Sequence, residues 1–212
     1  MKKSPRLTDP NLLEFWRTYA APGRIGLIHI NFVAAKLINW GEKWVTPTGE
    51  PSPWTHVFMF TKPRRGMPWI AESDFHVPLP GFLPKPDGPQ ENPVQKWSST
   101  TIDRAAVVDT GLTHEQFEAA EHAAQHLMSS GYSYRFAELA EAWVAMLKHD
   151  LTYVSPLHRD DSMHCGHFLR ECLSAAACDP FGPGVLPHNT VPELFAQKFS
   201  HIAEWSKPQT AE

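Results

Sequence analysis

Cysteine is scarce in this chain: three residues in 212, at Cys165, Cys172 and Cys178, all within one segment. A disulfide framework is therefore not expected, and a reducing compartment fits better. Long apolar runs are absent too. Nothing approaches the roughly 18 residues that a membrane-crossing helix needs, so no integral membrane span is expected. The opening stretch, Met1 to Pro10, has Lys2 and Lys3 but no apolar run behind them. A secretory signal would need about 7–15 such residues, so a cytoplasmic location is the reading, with non-classical export as the other route. No lysine–arginine stripe occurs; 19 basic residues are set against 23 acidic ones for a net charge of −4. That leaves no electrostatic case for nucleic acid. A glycine-rich phosphate loop and a G-x-S-x-G elbow are both missing. So are paired C-x₂-C ligands with a distant second pair, which speaks against structural zinc at His164-Cys165-Gly166-His167. Neither a metal nor another cofactor is expected.

What is present is the composition of an ordinary globular protein, 42% hydrophobic and 20% charged. The length suits one domain with a substantial core. Residues Asp9 to Tyr19 predict a short helix with Leu12, Leu13 and Trp16 on one face. Ile25 to Ile30 predicts a strand after the Pro22-Gly23 turn, and Asn31 to Trp44 has near-helical apolar spacing. Thr55 to Thr61 and Trp69 to Ser73 predict two strands joined as a hairpin through Pro63-Arg64-Arg65-Gly66. Pro78 to Pro93 holds six prolines and two glycines and reads as a surface excursion within the domain. Ala105 to Val108 predicts another strand. Thr113-x-x-Gln116 is a capping-box pattern opening a helix that closes at Gly131. Further helices are predicted over Phe136 to Lys148, Met163 to Ala177 with Asp161 or Ser162 as cap, and Val191 to Phe199. The eight scattered tryptophans read as packing or cleft walls.

Two segments carry the chemistry. Cys165 falls in the first turn of its predicted helix, where unpaired N–H groups and the macrodipole favour a thiolate. His56 opens a strand with a buried pattern, a rigid place to hold a general base. A thiol at a helix N-terminus against a strand-held imidazole is the working arrangement of a cysteine hydrolase. The order here is His first and Cys last, whereas papain-like enzymes of the usual order have Cys first. A base needs an orienting partner. Glu72, on the next strand of the hairpin, is one candidate, because a carboxylate in an apolar strand is costly unless paired. His76 is the other. Taken alone, Cys165 also suits a small buried hydrophobe, His56 a structural histidine and Glu72 a solvent-facing edge residue. Cys172 and Cys178 read as packing.

At these residues the chain resembles the circularly permuted NlpC-like papain-fold cysteine hydrolases, the YiiX/YebB type. That pattern runs P-G-D-I, S-H-V, V-I-E-A, G-x-x-Y-D and then C-S-E opening a helix. The corresponding pieces are Pro22-Gly23-Arg24-Ile25, Thr55-His56-Val57, Ile70-Ala71-Glu72-Ser73, Gly131-Tyr132-Ser133-Tyr134 and Cys165-Gly166-His167. Arg24 stands for Asp, Ser133-Tyr134 for Tyr-Asp, and Gly166-His167 for Ser-Glu. The resemblance covers residues 22 to 178. It implies an α+β permuted papain-like fold, with a small antiparallel sheet packed against helices that include the one bearing Cys165. It implies Cys165 as nucleophile, His56 as base and Glu72 as third member, cleaving an amide bond, with peptidoglycan-type peptides as a natural substrate. Similar permuted enzymes are lipid acyltransferases or phospholipases, so a lipid substrate is the alternative, with Phe82 and Leu83 of the proline-rich segment as lid or interfacial contact. A catalytically inactive binding module is a third.

Overall fold

The computed structural model describes residues 9–30, 39–75, 87–156 and 158–208. Among them is an antiparallel sheet of six strands flanked by helices, an α+β arrangement. The elements in chain order are α1 (Pro10–Tyr19), β1 (Ile25–Ile30), β2 (His56–Arg64), β3 (Met67–Asp74), β4 (Gly88–Pro93), a 3₁₀ turn (Val94–Trp97), β5 (Ile102–Asp109), α2 (His114–Ser129), α3 (Phe136–Leu147), α4 (Cys165–Ala175), α5 (Pro192–Lys198) and β6 (Ser200–Ser206). The sheet order is β4-β3-β2-β1-β5-β6.

Period-2 alternation splits the sheet into two buried faces. On one, Ile25, Leu27, Val57, Met59, Ala71, Ala106 and Val108 meet Ala120 and Ala124 of α2, Phe168, Leu169, Cys172 and Leu173 of α4, and Phe195 of α5. On the other, Ile28, Ile30, Phe58, Phe60, Ile70, Ala105 and Val107 meet Leu12, Phe15 and Trp16 of α1, together with Trp97. Burial on both faces is why these strands read as near-continuous apolar runs. The α1 face uses Phe15 where spacing suggested Leu13, which is only partly buried.

Several expectations are corrected. The proline-rich stretch read as an excursion from Pro78 to Pro93 ends in strand β4, paired along β3 from Asp74↔Gly88 to Trp69↔Pro93. Its prolines are tolerated because β4 is an edge of the sheet, where a missing N–H breaks no ladder. Strand β6, the other edge, has mostly exposed side chains, so it carries little hydrophobic alternation to find. The β2–β3 hairpin turns at Arg65-Gly66, both left-handed (φ 53° and 75°). This is the primed geometry that suits two-residue hairpins. Helix α4 starts at Cys165 with His164 as its cap, not Asp161 or Ser162. Of the helix expected over Asn31 to Trp44, residues 31–38 lie outside the described residues and 39–42 are helical. His76, Phe82 and Leu83 also lie outside the described residues.

Candidate active site

Cys165 is the first residue of α4, and His164 caps the helix through its ring: Nδ1 accepts from the N–H groups of Gly166 (3.2 Å) and His167 (3.4 Å). Its Nε2 bonds the His188 carbonyl at 3.0 Å. Two influences on His164 oppose one another. Burial disfavours its charged form, while Glu138 and the Cys165 thiolate favour it. A proton on Nδ1 would face two backbone donors, so the cap demands the neutral Nε2–H tautomer. We assign the neutral form, because the cap bonds bear directly on the ring.

The first turn of α4 lies hard against the loop before α5. A Cβ at Gly166 would stand 1.8 Å from the Thr190 carbonyl oxygen. Ser73 of β3 donates to the Met163 carbonyl, tying the segment before Cys165 to the sheet. Behind the helix, Arg170 holds Asp179 and the carbonyls of Gly182 and Val185.

His56 stands at the start of β2. The parity that aligns it with Phe58 places Glu72 with Ile70 on the same side of the hairpin. Its Nε2 is 2.8 Å from Glu72 Oε2, and the carboxylate is fully buried. Both Glu72 oxygens are saturated. Oε1 accepts from Asn92 Nδ2 and Lys96 Nζ, each at 2.8 Å, and Oε2 also accepts from Trp97 Nε1 at 2.7 Å. Lys96 bonds Asp74 as well, at 2.5 Å. Burial opposes ionisation of Glu72, but Lys96 and His56 outweigh it and hold the carboxyl well below the usual range. The His56 ring also packs beside Trp97, centroids 5.0 Å apart.

With Nε2 committed to Glu72, Nδ1 is the nitrogen left for the thiol. Burial alone would keep Cys165 protonated and His56 neutral. Attraction and hydrogen bonding between the two, with His164 beside the thiol and Glu72 beside the imidazole, reverse both, lowering the thiol to about 6 and raising the imidazole to about 10. The pair is a thiolate and an imidazolium at neutral pH. Cys172 behaves oppositely: burial pushes its thiol far up. All three cysteines are free, and Cys165 is only 2% exposed.

The structure thus brings Cys165, His56 and Glu72 together. Sequence reasoning missed the groups that support them. Asn92 lies within a proline-rich stretch, and Lys96 and Trp97 just after it, with no local sign of contact with Glu72. His164 is adjacent to Cys165 and could have been suspected as a cap. Glu42 is fully buried, its carboxyl raised well above the ordinary range by burial and by the negative charges of Glu193 and Cys165. His167 Nδ1 meets Glu138 of α3 at 2.7 Å. Among the described residues, no group of three His, Cys, Asp or Glu side chains is placed to hold a metal ion. No protein-family model matches the chain, and no curated protein matches it.

Proposed function

We propose that this chain is a cysteine hydrolase of the permuted NlpC-like papain-fold kind, cleaving an amide bond through a thioester on Cys165. The observation that carries the reading is the buried relay from Glu72 to His56 Nε2 and on from the other side of that ring to a thiol lowered to about 6. In the reaction, the thiolate attacks the carbonyl carbon and the carbonyl electrons pass to oxygen. The Cys165 N–H, at the open end of α4, faces that oxyanion. On collapse, the amine leaves with the proton of His56, and the thioester forms. Water then attacks, giving its proton to His56, and the acid leaves as the thiolate returns. Glu72 stays ionised throughout, holding the imidazole in orientation and stabilising its charged form. In the resembled lipid-acting enzymes a second histidine tends to stand third, so a carboxylate in that place supports the amide reading over the lipid one. Peptides of the peptidoglycan type are the substrate we favour.

Peptide mapping after brief iodoacetamide treatment at pH 7 tests the site. Cys165 should carry the label, with Cys172 nearly free of it, because burial keeps that thiol protonated and only a thiolate reacts quickly. Cys165→Ala should abolish turnover of a stem-peptide or peptide-anilide panel and leave the fold intact. Turnover surviving in that variant would end the assignment.

A further inference from the structure

Helix α3 is apolar on its outer side as well as on the inner side that buries Ala142, Ala145 and Met146. Its two carboxylates, Glu138 and Glu141, are buried and engaged with His167 and His158. Its outward positions are Ala137, Ala140, Val144 and Leu147, all exposed and spaced three or four apart. A helix facing water normally carries charged or polar residues at such positions. Val144 is 38% exposed and Leu147 43%.

The helical residues 39–42 extend this face. Trp143 of α3 presses so close to Gly41 that a Cβ there would stand 1.1 Å from its indole nitrogen. Trp40 meets Trp143 edge to face at 5.4 Å. The two segments therefore form one continuous surface. On it Trp40 is 45% exposed and Trp44 41%. The Lys43 ammonium lies over both rings, 4.4 Å and 4.6 Å from their centroids. Just past the end of α3, Lys148 lies over Tyr153 and His149 packs edge-on to Trp44.

We propose that this face, the outer side of α3 with Trp40, Lys43 and Trp44, docks on the headgroup region of an anionic lipid bilayer. Three features point to lipid. The outward positions of α3 carry no charge and no side-chain hydrogen-bonding group, so they offer nothing for a polar interface rim. Exposed tryptophans flank the apolar strip, with an apolar ring and a polar N–H suited to the headgroup boundary. Lys43 and Lys148 lie at its margin, with stems able to lie along the apolar surface and ammonium groups able to meet anionic headgroups. With 12 residues α3 is far too short to cross a bilayer, and no helix among the described residues can. It suits a helix lying in the interface plane.

The inner side of α3 holds Glu138, whose carboxylate meets His167, two residues after Cys165. Docking would therefore bring the thiol end of the molecule toward the lipid. The inference goes beyond the catalytic reading and is tested without turnover.

The test is flotation of the full chain with vesicles of phosphatidylcholine and phosphatidylglycerol in a four-to-one ratio, beside pure phosphatidylcholine. The wild type should float with the anionic vesicles, less so as salt is raised. The double variants Val144→Asp/Leu147→Asp and Trp40→Ala/Trp44→Ala should each lower vesicle partition by about tenfold or more. Circular dichroism and the Cys165 alkylation rate should stay at wild-type values, since the altered side chains are exposed. A wild type that does not float with anionic vesicles overturns the proposal, as does full binding by both double variants. A concentration-dependent dimer abolished by Val144→Asp/Leu147→Asp would assign the face to a second copy of the chain and overturn it too.

Discussion

At the scale of single residues, the candidate site depends on who holds Glu72. Its carboxylate has no exposed surface and four hydrogen-bond donors, one of which is His56. Burying that charge is tolerable only because Lys96 and the imidazolium compensate it. Lys96→Met should therefore cost about 3–5 kcal/mol, since it leaves Glu72 and Asp74 buried side by side with no cation bridging them. Urea denaturation measures this, and a loss below about 1 kcal/mol would show that the lysine is not needed. His56→Ala should lower turnover on the order of 10³-fold or more. It should also move the onset of Cys165 alkylation upward from about 6 toward the ordinary thiol value, because the imidazolium that favours the thiolate is gone. An unchanged alkylation profile would mean that the two side chains do not communicate.

At the scale of elements, legibility followed period and locality. Strands β1, β2, β3 and β5 and helices α1, α2 and α3 announced themselves because each buries a regular apolar set or carries its own cap. Thr113 and Gln116, for example, form the capping box that their spacing predicts. Strand β4 stayed hidden because Pro89 and Pro93 look like breakers, and only its edge position makes them acceptable. The cap of α4 was misplaced because His164 is a rare capping residue beside the commoner Asp161 and Ser162. Cys165, His56 and Glu72 were legible from position, whereas the grip of Asn92, Lys96 and Trp97 on Glu72 is tertiary and leaves no local pattern. Two departures from the resembled pattern have physical accounts. Gly166 stands where the pattern has Ser because the Thr190 carbonyl occupies the space a side chain would take. His167 stands where the pattern has Glu, and its partner on α3 is itself a Glu. Gly166→Ser should therefore destabilise the fold by about 3 kcal/mol, the upper end of overpacking costs, because the colliding atom is backbone. A wild-type urea midpoint in that variant would show that the α5 loop gives way freely.

At the scale of the whole molecule, the thiolate–imidazolium pair links the site to pH. The Cys165 pKa is depressed in the folded state, so its contribution to stability is fully present above the ordinary thiol value and lost as pH falls through about 6. The His56 pKa is raised, so its contribution is fully present below the ordinary imidazole value and lost as pH rises through about 10. Both charges coexist between those limits. Turnover should follow a bell with limbs near 6 and 10, the acid limb from loss of thiolate and the alkaline limb from loss of the proton donor. An acid limb near the ordinary thiol value would show that the pair is not formed in solution.

The two edges of the sheet differ in a way that bears on self-association. At the β4 edge, Pro89 and Pro93 offer no N–H to an incoming strand, while β6 contains no proline and shows largely exposed side chains. A fibre grown by strand addition needs two receptive edges on every subunit. Here one is blunted, so strand-to-strand contact between copies through β6 closes after a single pair. Loss of protein to aggregation by this route should therefore stop at dimers and require unfolding to go further.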